Sequence, residues 1–302
     1  MSAPESRQSG GSRGGVRFTV IIPTLKAGPC LEHCLEALTH QPGNESGFEV
    51  IVVKDGGEKY EAPRRFRASG FPLRVLDQDH KGPAAARNLG LREARGGIIL
   101  FLDDDSVPAP NWLAEAAGAW DRLTDADGIG GYTRTEPGDS LVCRVNSDLF
   151  NWYLDRHSLS GRRTFLSTCN AGYTKKILER AGGFDERFKR ASGEDRDLAA
   201  RISRMGGRLE LDKSILIDHD RDLTPRSYAR KHYHYGRAAV ELARMHPDIE
   251  RFSAGDYVNF YASILKKYRG VGRRIAVFAL LTLSQVATFA GFLTSRVSRG
   301  CA

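Results

Sequence analysis

Residues 98–108 read IILFLDDDSVP, five apolar residues followed by three consecutive carboxylates. The apolar run fits a strand buried on both faces, and strands of that kind belong to α/β sheets covered by helices. Like charges cannot be packed at the end of a buried strand without a compensating charge. A divalent cation is the usual compensator. Hard oxygen ligands suit Mg²⁺ or Mn²⁺, and such sites commonly combine one or two carboxylates with a substrate diphosphate. The segment therefore points to a metal-dependent enzyme acting on a nucleotide diphosphate. A solvated acidic turn that caps the next helix is the plainer alternative.

The flanking sequence extends this pattern. Short apolar runs at 17–23 (RFTVIIP), 48–53 (FEVIVV), 73–76, 98–102 and 209–217 read as strands, and 129–133 as an edge strand. Helical spacing covers 29–38 through Leu31, Leu35 and Leu38, a stretch starting at Pro83, and 110–123, 174–181 and 195–205. Strands and helices alternate, which predicts an α/β fold with a mostly parallel sheet flanked by helices. Ligands of such sheets bind at the carboxyl ends of strands, where Asp55 and Asp103 to Asp105 fall. Residues 134–165 are poorly patterned and read as a loop-rich region on the acceptor side.

The net charge of +8 suits a phosphorylated substrate or an anionic lipid. Nucleic acid is not an expected partner, because no basic–aromatic repeat or zinc-finger spacing occurs. The five scattered cysteines, at 30, 34, 143, 169 and 301, fit reduced thiols in a cytosolic compartment. Residues 1–16 are rich in Gly, Ser and Arg, lack the apolar core of a secretory leader, and read as a disordered tail. The C-terminal part, 241–302, is expected to be a helical extension. Within it, 275–293 (IAVFALLTLSQVATFAGFL) carries no charge and approaches membrane-spanning length. Lys266, Lys267, Arg269, Arg273 and Arg274 precede it, and Arg296 and Arg299 follow. The heavier basic flank places the main domain on the cytoplasmic face of a membrane. A hydrophobic helix packed on the domain or on a partner chain is the competing account.

Taken in order, VIIPT, VVKDGG, KGPAAARNLGL, ILFLDDDSVP, NAGYTKK with GGFDERF, GEDRDLAARI and a late His219 resemble a family 2 glycosyltransferase of the GT-A fold. The resemblance covers about 17–240. It implies inverting transfer of a sugar from a nucleotide-diphosphate donor, a UDP-sugar being favoured, to an acceptor hydroxyl of a glycan or a lipid-linked molecule. Such transfer needs a cation at the departing diphosphate, a base at the acceptor hydroxyl, and an aligned donor.

By resemblance, Asp105 and His219 hold Mn²⁺ or Mg²⁺, and Asp103 contacts ribose or sugar, with Asp104 between them. Asp195 is the base, and Glu194 orients the acceptor or supports that base. Asp55 accepts a hydrogen bond from the nucleobase, and Pro23 and Thr24 line the same pocket. Lys54 stands where relatives carry Asp, and Lys26 where many carry a small polar residue. Arg87, with Asn88, contacts the diphosphate or forms a salt bridge to the acidic triplet. Asn170 and Gly172 flank the sugars, Gly172 by letting backbone approach closely. A basic and aromatic element with His232, Tyr233, His234, Tyr235, Arg226, Arg230 and Arg237 closes over the diphosphate. Two other readings share the fold: a sugar-phosphate nucleotidyltransferase, and a non-catalytic sugar- or membrane-binding module. The first lacks a Gly-rich basic phosphate loop near the start, and the second leaves Asp105 and Asp195 without a role. A dinucleotide oxidoreductase is disfavoured, since no G-x-G-x-x-G follows the first strand.

Overall fold

The computed structural model describes residues 15–42, 47–67, 70–136, 138–159, 165–189, 192–219, 223–247 and 253–300. The expected tail over 1–16 lies outside the described residues except for its last two, and so does Cys301. The first half runs β1 (Phe18–Thr24), α1 (Pro29–Thr39), β2 (Phe48–Asp55), α2 (Arg64–Arg67), β3 (Leu73–Gln78), α3 (Pro83–Glu93), β4 (Ile98–Leu102), β5 (Val107–Pro108) and α4 (Trp112–Arg122). There follow β6 (Gly128–Arg134), α5 (Leu141–Leu159), β7 (Asn170–Thr174), α6 (Lys175–Arg180), α7 (Glu194–Arg204), β8 (Leu209–Asp218), α8 (Pro225–Met245), α9 (Ala254–Leu265) and α10 (Val271–Gly300).

The described strands form one sheet in the order β3-β2-β1-β4-β7-β6-β8-β5. β1 is parallel to β2 and β4, β2 to β3, and β6 to β8. β7 runs antiparallel between β4 and β6. The apolar strands are unbroken because both faces are buried. Val20 and Ile22 of β1 pack with Leu31 and Leu35 of α1 and Trp112 of α4. Their neighbour Ile21 points the other way, to Ala84, Ala86 and Leu91 of α3 and Leu198 of α7. From β1 the chain steps outward through β2 and β3, then returns to the far side of β1 as β4. The carboxyl ends of β1 and β4 therefore flank the crevice where sheets of this type bind ligands.

Two expectations are corrected. β6 is not an edge strand, since it lies between β7 and β8. The segment around Asn170 adds a further strand, β7, paired residue for residue with β4. The supposedly loop-rich 134–165 contains the 19-residue helix α5. Its Val145 and Leu149 share a core with Phe260 and Ile264 of α9 and Val277 and Leu281 of α10. Asp148, which interrupts the apolar spacing, accepts bonds from Lys267 Nζ at 2.6 Å and Tyr268 Oη at 2.7 Å.

α10 extends past the apolar stretch at both ends and lies against α8. The two helices meet backbone to backbone: a Cβ on Gly236 would collide with the Thr288 carbonyl, and one on Gly291 with the Tyr233 carbonyl. One side of the apolar segment is thus packed on the domain.

Candidate active site

The acidic triplet and His219 follow strand ends and Glu194 and Asp195 begin a helix, whereas Asn170 and Gly172 lie within β7 and the His232 to Arg237 group within α8. Thr24 closes β1, and its hydroxyl donates to Asp104 Oδ2 at 2.5 Å, fixing the acidic triplet that follows β4. Burial pushes the Asp104 carboxyl up to about 6; the Thr24 bond opposes this, and the neighbouring Asp105 and Asp103 add to it. Thr24 is only 2% exposed and positions the triplet from below, while Pro23 beside it is half-buried.

His219 reaches the triplet through sheet pairing. Val107 of β5 pairs with Asp218 at the end of β8, so the next residue emerges beside Asp105. Arg134 grips the Asp218 carboxylate with two bonds of 3.0 Å and holds that strand end. His219 Nε2 lies 3.2 Å from Asp105 Oδ1. One ligand atom from each of Asp103, Asp105 and His219 falls within 4.8 Å of the others. Two carboxylates and an imidazole suit a divalent cation, and the imidazole favours Mn²⁺ over Mg²⁺.

Arg87, one turn into α3, is 2% exposed and bridges two separate parts of the site. Its guanidinium donates to Asp103 Oδ1 at 2.8 Å and to Glu194 Oε1 at 2.9 Å. Glu194 accepts through its second oxygen from the Ser192 amide at 2.8 Å. Gly193 makes the turn between them with φ +98°, a value that L side chains rarely adopt. The turn leaves Glu194 pointing inward to Arg87 and places Asp195 on a cavity wall. Burial pushes the Asp195 carboxyl up to about 7, with the adjacent Glu194 charge adding to it and Arg196 and Arg87 partly offsetting it.

Two cavities meet here. A cleft of about 870 Å³ holds Asp103, Asp105 and His219 on one side and Arg187, Lys189, His234 and Arg237 on the other. A chamber of about 260 Å³ contains Asp195 and is walled by Phe150, Tyr153, Phe165 and Tyr257. The two share Ser192, Lys231, Tyr235 and Ala238. Of the basic and aromatic residues expected on α8, His234, Tyr235 and Arg237 line the cleft and His232 the chamber. Lys231, Arg187 and Lys189 were not expected. Lys231 was legible as part of the same helix face, whereas Arg187 and Lys189 sit in a loop whose direction no local spacing gives.

Several of the expected site residues already hold partners within the domain. Asp55 receives Gln78 Nε2 and the Lys81 amide at 2.8 Å, the Gly82 amide at 2.9 Å, and lies 2.9 Å from His80 Nδ1. Burial alone would raise its pKa, but those hydrogen bonds outweigh it and hold the carboxyl below the usual range. Asp55 thereby fastens the start of α3 to β2. Lys54 is buried as well, donating to the carbonyls of Leu25 and Gly56. Asn88 exchanges bonds with the Phe184 backbone at 2.8 and 2.9 Å and is structural. Arg87 forms the salt bridge to the acidic triplet that was one of its two expected roles, and adds a second to Glu194. Gly172 packs closely on Leu100, which occupies the space a Cβ would need.

Asn170 joins three elements. It accepts from Trp112 Nε1 at 2.8 Å and donates to the carbonyls of Tyr132 at 3.1 Å and Ile215 at 3.0 Å. Asn170→Ala would leave those buried groups unpaired, and about 3 kcal/mol of stability is expected to be lost, read as a lower urea midpoint. An unchanged midpoint would show that water replaces the amide.

The sequence matches Glycosyl transferase family 2 over residues 19–182, more than half of the chain, and the chain belongs to that family of transferases. The pre-mycofactocin glycosyltransferase of Mycobacterium tuberculosis is 30% identical over 239 residues, 76% of this chain and 48% of that protein. Glycosyltransferase AglE of Haloferax volcanii is 30% identical over 169 residues, 55% of either chain. The chain thus spans about half the length of these relatives. Among solved structures, mannosyltransferase PcManGT from Pyrobaculum calidifontis, in complex with GDP-Man and Mn²⁺, has a TM-score of 0.56 at 18% identity over 94% of this chain and 86% of that one. S. aureus TarS 1-349 in complex with UDP gives 0.52 at 17% identity, over 95% and 92%. These likenesses establish the GT-A fold.

Proposed function

We propose that this chain catalyses inverting, metal-dependent transfer of a sugar from a nucleotide-diphosphate donor to an acceptor hydroxyl. The observation that carries the reading is the placement of the Asp103, Asp105 and His219 cluster in a cation-lined cleft that opens onto the chamber holding Asp195. A divalent cation held by those three residues would neutralise the departing diphosphate. Arg187, Lys189, Lys231, His234 and Arg237 surround the same cleft and supply further positive charge to phosphate oxygens. Asp195 takes the proton of an acceptor hydroxyl presented from the chamber. Its raised pKa makes it a stronger base than an ordinary carboxylate. With the base and the leaving diphosphate in separate cavities, attack comes from the face opposite the leaving group, and the anomeric centre inverts.

UDP is the favoured nucleotide, and TarS, of the same fold, was solved with it. The corresponding GDP-Man and Mn²⁺ complex of PcManGT makes GDP the second choice. Glu194 and Arg87 act as positioning residues. The acceptor is a glycan or a lipid-linked molecule, and the C-terminal helix keeps the domain at the cytoplasmic face of a membrane.

The test is the melting temperature of the full chain against UDP, GDP, dTDP and CDP, with and without Mn²⁺. A nucleotide at roughly 100 times its Kd adds about 2.7 kcal/mol, a shift on the order of 5 °C. A Mn²⁺-dependent shift with one nucleotide, lost in Asp105→Ala, is expected. No shift with any nucleotide would overturn the reading.

A further inference from the structure

The apolar look of the C-terminal segment has two sources, one on each side of α10. Val277, Leu281 and Ser284 are fully buried against α5, α8 and α9, on the side where Gly291 meets the α8 backbone. Val271, Ile275, Phe278, Val286, Phe289 and Leu293 are all exposed, from 44% to 77%. At 3.6 residues per turn these six fall on one stripe roughly 80° wide, and from Ile275 to Leu293 it is about 27 Å long. Lys266, Arg269, Arg273 and Arg274 are exposed at one end of the stripe and Arg296 at the other. From Tyr257 to the end of the sequence there is no Asp or Glu.

We propose that α10 lies flat on an anionic lipid surface, its outer stripe immersed at the headgroup boundary and its inner face still packed on α8, and that it does not span the bilayer. A spanning helix has lipid or apolar protein all around it, whereas the helix lying against α10 carries Lys231 and Arg237 into a polar cleft. A one-sided apolar stripe with basic ends is the pattern of an in-plane helix. The run of cations without a single carboxylate complements anionic headgroups. It opposes a second copy of the chain, which would bring like charges together. The inner face of the same helix supplies Gln285 and Thr288 to the wall of the chamber that holds Asp195. Docking in this orientation keeps that chamber one helix diameter, roughly 10 Å, from the lipid surface. The docking itself does not depend on the transfer chemistry proposed above.

The experiment is flotation of the full chain with phosphatidylcholine vesicles, with and without phosphatidylglycerol. Binding to the anionic vesicles, weakened by salt and reversed by alkaline carbonate, is expected. The double variant Phe278→Asp, Phe289→Asp should bind about ten-fold more weakly. The Mn²⁺–nucleotide melting shift should be unchanged in that variant, because neither residue touches the cleft. Three results would overturn the proposal: no vesicle binding, resistance to carbonate extraction, or a dimer by light scattering that the double variant converts to monomer. Vesicle binding is read without any transfer assay, so its failure and that of the enzymatic reading are separable.

Discussion

Asp195→Asn is expected to slow sugar transfer by about 10³-fold while leaving the Mn²⁺-dependent nucleotide shift intact, as loss of a general base should. The amide keeps the shape and the hydrogen bond to the Arg196 amide but cannot accept a proton. In the wild type the carboxyl is pushed up to about 7, so transfer should rise with pH below neutrality and level off above it. The same shift has a stability consequence of fixed sign. A carboxyl whose folded pKa lies above its unfolded value binds its proton more tightly in the folded state. Its contribution is complete at acid pH and is lost as pH rises from the usual carboxylate range through about 7. Asp195→Asn should therefore melt above the wild type at pH 8, with the gap closing near pH 4. A variant that keeps full activity, or a pH profile that is flat through neutrality, would remove Asp195 from the mechanism.

Arg87→Ala is expected to cost about 3–5 kcal/mol, because it strands Glu194 as an uncompensated buried charge. Arg87→Lys should recover only part of this, since one ammonium cannot repeat the forked contact to Asp103 and Glu194. Glu194→Gln in the Arg87→Ala background should restore stability by removing the orphaned charge, and a double-mutant cycle in urea measures that coupling. If Arg87→Ala and the double variant unfold at the same midpoint, the bridge is not what holds the two segments together. The variant should also bind Mn²⁺ more weakly, because Asp103 loses the contact that fixes its orientation.

The sheet was legible where burial on both faces made strands uniform. Pro83 and the leucines of α1 likewise marked their helices through local chemistry. α5 escaped because its apolar positions face helices more than a hundred residues downstream, and a periodicity shared with distant partners is diluted by Arg144 and Asp148. The acidic triplet and Asp195 stood out in the sequence as carboxylates, and Asp103, Asp105 and Asp195 line the two cavities. Asp55, Asn88 and Asn170 did not declare their roles, because a short polar side chain next to a glycine reads the same whether it meets a ligand or a backbone amide. What separates the cases is saturation: each of these side chains has its hydrogen-bonding capacity taken up by neighbours remote in sequence. Arg87 was readable as a partner of the triplet, but its second partner lies 107 positions away. No local pattern reports a contact at that range.

An apolar C-terminal helix is ordinarily the first part removed when a soluble fragment is wanted. In this protein the glycine contact between α8 and α10 makes that step destructive. A chain cut before Val271 loses Gln285 and Thr288, and with them one wall of the chamber around Asp195. It also bares Val145, Leu149 and Phe260, which share their core with Val277 and Leu281. Such a fragment keeps Asp103, Asp105 and His219, the residues proposed to hold the cation, and loses Ser295 from the wall of their cleft. A positive nucleotide-binding result on a trimmed chain would say nothing about its fitness to choose an acceptor.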